Sequence, residues 1–140
     1  MPRLQNRIDF DGAIINVRVE LGAVEEAYLR ASGQPIPQPF PTTALIDTGA
    51  SHTAVDPMIL NHLGVIQRGV VLVSVPGHAN ASMPLYDVRV SLEIHHPAFD
   101  VQVAKIVPAT HTVAVLIGRD ILKNGTLLFD GQNNAFSFWF

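Results

Sequence analysis

The stretch Ala44-Leu45-Ile46-Asp47-Thr48-Gly49-Ala50-Ser51 places an acid directly after an apolar run. Leu45 and Ile46 predict a buried strand, and no basic residue stands close to Asp47 in the sequence. A carboxylate in such surroundings is costly unless it accepts hydrogen bonds or shares a proton with a partner. The threonine and glycine that follow supply a hydroxyl and a tight turn at which a ligand can approach the backbone. The pattern therefore indicates a functional acid in a loop at the end of a strand.

The composition favours one globular domain spanning residues 1–140. Of the 140 residues, 48% are hydrophobic and 15% are charged, which suits a folded core and argues against disorder. The net charge is −3 and lysine and arginine form no cluster, so neither nucleic acid nor an anionic membrane is an expected partner. The chain has no cysteine, which excludes disulfides and thiolate metal sites. No long apolar run opens the chain, so we expect no signal peptide or transmembrane segment and an intracellular, cytoplasmic location.

Alternation of apolar and polar residues predicts an all-β fold. Residues 15–21 and 88–94 alternate strictly, which is the period of strands with one buried and one exposed face. The turn sequence Asp130-Gly131 predicts that the last two strands form a hairpin. The alternating aromatic residues of 136–140 favour either core packing or pairing with a second chain. We expect a closed or partly closed β-barrel, with further strands at Val70–Val75, Phe99–Val107, Val113–Ile117, Thr126–Phe129 and Ala135–Phe140.

Two short helices are expected beside the strands. Asp56-Pro57 precedes Met58–Leu63 and Gly64 follows it, in the usual order of N-cap, first-turn proline and C-terminal glycine. Asp120–Asn124 predicts about one further turn.

The segment Gly22–Pro41 is predicted to be a surface insertion. Ala23–Ala31 predicts a helical turn or two, and the prolines at 35, 37, 39 and 41 keep the following chain extended. Prolines at alternate positions are not expected in a central strand.

A second motif makes the acidic loop more specific. Val115-Leu116-Ile117-Gly118-Arg119-Asp120-Ile121-Leu122 is an apolar run closed by Gly-Arg-Asp before a short helix. An Asp-Thr-Gly alone occurs by chance, but the two motifs together, in an all-β chain of this size, resemble the retropepsins. These are the single-domain aspartic proteases of retroviruses and their cellular and bacterial relatives. The resemblance covers residues 12–21 and 42–140, and it implies the acid-protease barrel with a flap, a hairpin that closes over the substrate.

The resemblance also implies roles for individual residues. Asp47 is the expected catalytic acid and base, and Thr48 the residue whose hydroxyl links two chains across a dimer axis. Gly49 is expected to present its carbonyl oxygen as a hydrogen-bond acceptor to the substrate backbone. The two arms of the flap are expected at Val70–Val75 and Ser82–Ile94. Further substrate-binding residues are expected at Ala50, Ser51, Pro76, Gly77 and His78, and structural roles are expected for Gly118, Arg119 and Asp120.

The implied chemistry requires two carboxyl groups that share one proton; aspartic proteases are a standard example of such a pair. The chain has a single Asp-Thr-Gly, since Asp11-Gly12 and Asp130-Gly131 lack the hydroxyl and predict ordinary turns. One acid per chain makes one pair only if two chains meet at a twofold axis. The sequence therefore predicts a homodimeric aspartic endopeptidase that acts on extended peptides or unfolded proteins and needs no cofactor and no metal.

Three departures from the viral pattern accompany the resemblance. Ser51 stands where viral members often carry an acid that pairs with the arginine, so Arg119 is expected to use another acid or a carbonyl. The flap tip has one glycine, and Gly22–Pro41 is longer than its viral equivalent.

Two other functions remain open from the sequence. One is a peptide-binding or assembly module that keeps the fold without proteolysis. The other is a metal-dependent hydrolase built on His95-His96, although neighbours on a strand face opposite ways and no carboxylate cluster accompanies them.

Overall fold

The computed structural model describes residues 2–74, 77, 80–93, 98–105 and 113–140. Within these ranges the helices are α1 (Ala23–Ala31), α2 (Pro57–Leu63) and α3 (Arg119–Leu122). The strands in the same ranges are β1 (Arg3–Asp9), β2 (Gly12–Leu21), β3 (Phe40–Ile46), β4 (Ala54–Val55), β5 (Gln67–Val73), β6 (Ala81–Leu92), β7 (Ala98–Lys105), β8 (Val115–Ile117), β9 (Thr126–Asp130) and β10 (Ala135–Trp139). The predicted strand positions Val75, Ile94, Ile106 and Val107 lie outside the described residues.

Six strands close into a barrel. They pair in the order β2, β3, β8, β4, β7 and β6, and β6 pairs back with β2 from Val17↔Leu92 to Leu21↔Val88. The β3–β8 and β4–β7 pairs are parallel, and the other four are antiparallel. Closure satisfies the backbone groups that an open sheet would leave at its edges. The predicted all-β barrel is confirmed.

The alternating pattern of β2 and β6 supplies much of the core. Ile15, Val17 and Val19 are at most 3% exposed, while Asn16 and Arg18 between them face solvent. Complete burial of one such aliphatic side chain contributes about 1.5–3 kcal/mol, so the alternation itself decides which face of the sheet turns inward. Val88, Val90 and Leu92 do the same on β6.

The two predicted helices are confirmed. The Asp56 carboxylate accepts the backbone N–H of Met58 at 2.8 Å and so caps α2. Gly64 ends the helix in the left-handed conformation at φ 66°. α3 forms the expected single turn, but over Arg119–Leu122 and not over Asp120–Asn124.

The segment Gly22–Pro41 contains α1, which is longer than α2 and α3 and has no buried residue. The last two residues of the segment, Phe40 and Pro41, belong to β3, which pairs with β2 on one side and β8 on the other. The expectation that Pro41 lies outside a central strand is therefore wrong. The strand tolerates it because β8 pairs only with Ala44–Ile46, which leaves Pro41 flanked by β2 alone.

The two chain ends form a three-stranded extension of the barrel, in which β10 lies between β1 and β9. The predicted β9–β10 hairpin at Asp130-Gly131 is confirmed. Phe136 and Phe138 are each 1% exposed, so core packing accounts for them. No strand was predicted at β1, where Leu4 is the only buried side chain.

In the described part of the chain, no helix has the length and apolar character that crossing a membrane would require.

Candidate active site

Asp47 directly follows β3 and begins the loop that connects β3 to β4. Its backbone N–H donates to the carbonyl oxygen of Ile117 at 2.9 Å, which prolongs the parallel β3–β8 pairing by one bond. Ala44 is fully buried, but Leu45 and Ile46 are only half-buried in the single chain, so the prediction that both are buried is wrong. They lie at the last positions of the strand, where the flanking strands also end.

The loop folds back onto the Asp47 carboxylate. Oδ1 accepts the backbone N–H of Gly49 at 2.9 Å, and the N–H of Ala50 donates to the Asp47 carbonyl at 3.2 Å. A β-carbon at Gly49 would stand 3.1 Å from that same Oδ1, which is tighter than most real contacts, so glycine suits the position. Among the described residues no group donates to Oδ2. One carboxylate oxygen therefore holds the loop, and the other is available to a ligand.

Arg119 ties the second motif to this loop. Its Nη1 donates to the carbonyl oxygens of Thr48 at 2.9 Å and Gly49 at 3.3 Å, and its backbone N–H donates to the Ala50 carbonyl at 2.8 Å. Arg119 was expected to bind another acid or a carbonyl in place of the acid found in viral members, and its partners here are backbone carbonyls. Ser51 is exposed and its hydroxyl lies 3.2 Å from Nδ1 of His52 instead.

Asp120 secures the chain just beyond the loop. Its carboxylate accepts the hydroxyl of Thr53 at 2.7 Å and the backbone N–H of the same residue at 2.8 Å. The Thr53 hydroxyl in turn accepts the N–H of Gly118 at 3.1 Å. Sequence reasoning missed Thr53, which is fully buried, because nothing local marks a threonine whose partners lie more than sixty residues away.

Gly118 allows the two segments to meet. A β-carbon there would stand 2.6 Å from the backbone carbonyl carbon of His52 and 2.8 Å from its oxygen. The three residues of the Gly-Arg-Asp motif thus have three distinct tasks. Gly118 permits close approach, Arg119 holds the loop carbonyls, and Asp120 holds Thr53.

The structure therefore brings most of the predicted site residues together around one loop. They are Asp47, Thr48, Gly49, Ala50, Ser51, Gly118, Arg119 and Asp120. Thr48 and Gly49 are exposed in the single chain, which leaves them accessible to a partner.

The predicted flap arms form a hairpin. β5 pairs antiparallel with β6 from Gln67↔Tyr86 to Val73↔Ala81, and the hydroxyl of Ser74 donates to Asn80 at 3.1 Å near the tip. Gly77 occupies a turn at φ 78° with open space around it. Pro76 and His78, predicted to contact substrate there, lie outside the described residues, as do His95 and His96. Function of the hairpin as a flap stays a prediction.

Solved structures show the same architecture. A retropepsin-like aspartic protease from Rickettsia conorii aligns over 98% of this chain and 90% of its own, with a TM-score of 0.58 and 12% identity. The chain has the retropepsin-like fold. At 12% identity this likeness establishes the fold and leaves the activity of this chain to be argued from its site.

Two further protease or protease-like structures align with lower TM-scores. The retroviral protease-like domain of Ddi1 from Leishmania major aligns over 89% of this chain and 86% of its own, at 17% identity and a TM-score of 0.46. EIAV protease bound to an inhibitor aligns over 60% of this chain and 76% of its own, at 19% identity and a TM-score of 0.37. No sequence model of a known protein family matches the chain. No curated protein matches it in sequence either.

Proposed function

We propose that this protein is a homodimeric aspartic endopeptidase. The observation that carries the proposal is the position of Asp47 on its loop. One oxygen of its carboxylate accepts the Gly49 N–H, and the other accepts no hydrogen bond within the described residues. Arg119 donates to the carbonyl oxygens of Thr48 and Gly49 in the same loop. An acid held rigidly with one free oxygen is suited to act on a bound water.

The dimer follows from the number of acids. The chain has one Asp-Thr-Gly, and the reaction needs two carboxyl groups, so the second Asp47 has to come from a partner at a twofold axis. The exposure of Thr48 and Gly49 in the single chain supports this proposal, since these residues would become buried between two such loops.

In the proposed mechanism, one Asp47 of the pair is ionised and the other protonated. The ionised carboxylate takes a proton from water as the water oxygen attacks the scissile carbonyl carbon, and the protonated carboxyl donates its proton to the carbonyl oxygen. The resulting gem-diol then collapses. One hydroxyl proton returns to a carboxylate, the C–N bond breaks, and the leaving nitrogen takes a proton from the pair. Neither a metal nor a cofactor takes part in this proposal.

The proposed substrate is an extended peptide held between the loop and the β5–β6 hairpin. β5 pairs with β6 alone among the described strands, so its other edge is open to pairing with an extended peptide. An extended peptide that hydrogen-bonds to backbone groups is recognised largely without regard to sequence, and side-chain pockets then add selectivity. Closure of the hairpin would exclude water from the reacting bond.

The test is cleavage of an unfolded protein by the parent and by Asp47→Asn, at high protein concentration so that a weak dimer persists. Product ends are identified by mass spectrometry. We expect cleavage by the parent alone. Equal cleavage by Asp47→Asn would refute the mechanism. If neither protein cleaves in a preparation shown to be dimeric, the result would favour a peptide-binding module instead.

A further inference from the structure

The carboxylate of Glu25 on α1 is only partly used. Its Oε1 accepts a hydrogen bond from Nη2 of Arg68 at 3.2 Å, but its Oε2 is buried and no donor among the described residues reaches it. The Glu25 side chain is 13% exposed, so little water is available to replace a missing donor. Buried carboxylate oxygens normally have hydrogen-bond partners, and an arginine often donates to both oxygens of a carboxylate at once. The pair therefore lacks one hydrogen bond that its two side chains are able to form.

Arg68 occupies an irregular position at the root of the β5–β6 hairpin. The pairing advances two residues along β5, from Gln67 to Gly69, for only one residue along β6. Arg68 is therefore the extra residue of a β-bulge, a feature that interrupts the pairing and bends the strand. A bend at this point changes the angle between the hairpin and the barrel.

Beyond the bulge, no other described strand pairs with the hairpin. β6 pairs with β7 from Leu85 to Ser91 and with β2 from Val88 to Leu92, but its residues 81–84 pair only with β5 among the described strands. Within the same part of the chain, β5 pairs only with β6. The hairpin is thus attached at its root, and no described strand fixes its angle to the barrel.

The helix α1, in contrast, is tied to the barrel at more than one point. The backbone N–H of Ala23 donates to the Asp100 carboxylate of β7 at 3.2 Å. Nη1 of Arg89 on β6 lies 3.4 Å from the Glu26 carboxylate. Both contacts are made to residues of β6 and β7 that pair with each other within the barrel. α1 therefore gives its side chains a fixed position against which the hairpin moves when it bends.

We propose that the Glu25–Arg68 pair positions the hairpin, and that Arg68 donates to both oxygens of Glu25 when the hairpin closes over a bound peptide. The inference rests on the proposed function, because that function supplies the peptide. In this proposal the single bond at 3.2 Å belongs to the open hairpin. Closure gives the buried Oε2 a charge-assisted donor and so removes the cost of an unsatisfied oxygen. Both side chains act through the hairpin and not by touching the peptide.

Binding of reduced casein, an unfolded protein, tests the role of the pair. All variants carry Asp47→Asn, so that casein is bound and not cleaved. We expect Glu25→Gln and Arg68→Gln each to weaken casein binding by about tenfold, which corresponds to the loss of one hydrogen bond to a charged group. Arg68→Lys should lose nearly as much, because an ammonium group cannot form the parallel pair of bonds. Arg30→Gln is the matched control and should bind like Asp47→Asn alone, since it removes an exposed ion pair with Glu26 from the same helix.

Distances between spin labels show whether the hairpin moves. The chain has no cysteine, so Tyr28→Cys on α1 and Leu72→Cys on β5, both at exposed positions, can be labelled selectively. Labelled chains are diluted into unlabelled ones, and the distance between the two labels is measured by electron spin resonance with and without casein. We expect casein to shift this distance in Asp47→Asn and to shift it less when Arg68→Gln is added. A pair that only stabilised the fold would change the urea midpoint without changing the response to casein.

The outcomes of this experiment separate the inference from the proposed function. The inference is overturned if the labels do not respond to casein, or if Glu25→Gln and Arg68→Gln bind casein and respond to it as Arg30→Gln does. Cleavage by the parent is recorded separately, because it decides the proposed function alone. A hairpin that closes on casein through the pair, in a protein that cleaves nothing, would support the inference and refute the proteolytic function.

Discussion

The hydroxyl of Thr53 donates to the carboxylate of Asp120 over 2.7 Å, and this bond joins the two sequence motifs behind the candidate active site. Thr53 is fully buried, so its hydroxyl cannot exchange this partner for water. The same oxygen accepts the N–H of Gly118, which makes Thr53 the centre of a small network and not an isolated contact. The Asp47 loop leads directly into Thr53, so the network holds the chain at the end of that loop.

Replacing Thr53 with valine should destabilise the protein. The substitution keeps the shape but leaves the Gly118 N–H without its partner, at a cost of about 1–3 kcal/mol in the free energy of unfolding. Among the described residues, Asp120 Oδ1 loses the Thr53 hydroxyl and keeps only the backbone N–H of Ile121. Urea denaturation measures this change. Thr126→Val is the matched control, because Thr126 is exposed on β9 and its replacement should stay within about 0.5 kcal/mol. Equal effects of the two variants would contradict the network.

Gly118→Ala should damage the site more than its small size suggests. The new methyl group would stand within 2.8 Å of three backbone atoms of His52 and Thr53, which cannot move aside like the end of a flexible side chain. We expect a loss of about 1–3 kcal/mol, with reduced cleavage. Gly131→Ala is the control, since its methyl group meets only the Phe129 ring at 3.7 Å. A Gly118→Ala variant as stable and active as Gly131→Ala would show that the two segments do not pack this closely.

Much of the fold was predictable because its determinants are local. The alternation in β2 and β6 fixes which side chains enter the core, and the Asp56 cap with Gly64 bounds α2. β1 was missed because Leu4 and Ile8 are its only apolar residues of any size, and pairing with β10 defines the strand. Pro41 was misplaced because the tolerance of β3 for proline depends on how far β8 extends.

Only those residues of the candidate site that belong to a recognisable sequence motif could be predicted. Asp47 and Arg119 stand in motifs that can be recognised from the sequence. Thr53 could not be found in that way. The importance of Thr53 comes from Asp120 far along the chain.

Arg119→Lys should lower activity more than stability. A lysine keeps the charge but cannot reproduce the geometry with which one guanidinium holds the carbonyls of Thr48 and Gly49. Small displacements of a catalytic group are costly, so we expect cleavage to fall between about tenfold and a hundredfold. Arg18→Lys, at an exposed position of β2, is the control. The measurement is the rate of peptide cleavage, normalised to the amount of folded protein. A parent-like rate for Arg119→Lys would exclude a positioning role.

Acidification should weaken both the helix α1 and its contact with Arg89 of β6. The hydrogen bond with Arg30, assisted by the charge of Arg89, lowers the pKa of Glu26 below its usual 4.5. A carboxyl with a lowered folded-state pKa contributes stability above its unfolded value, and this contribution is lost as the pH falls through the folded value. Hydrogen exchange of residues 23–31, corrected for intrinsic rates, should therefore speed up as the pH drops below about 4.5.

The matched control for α1 is Glu26→Gln, which has no charge to lose. Its exchange should already be faster at neutral pH and should change less on acidification. Because the Glu26 side chain is only half-buried, added salt should reduce the difference between the parent and the variant. An identical pH dependence in both proteins would assign the effect to other carboxyl groups.

Thr48→Ala should weaken the proposed dimer while leaving the single chain intact. In the single chain the Thr48 side chain is exposed, and it is the Thr48 carbonyl that accepts from Arg119. Removing the hydroxyl therefore breaks no hydrogen bond among the described residues that holds the loop. We therefore expect unchanged urea denaturation of the chain at low concentration, a weaker association in sedimentation, and activity that falls more steeply on dilution than that of the parent. Thr48→Ser keeps the hydroxyl and should associate like the parent. If Thr48→Ala forms a dimer of undiminished affinity, the hydroxyl does not lie at the axis, and the pairing of two Asp47 residues would need a different interface.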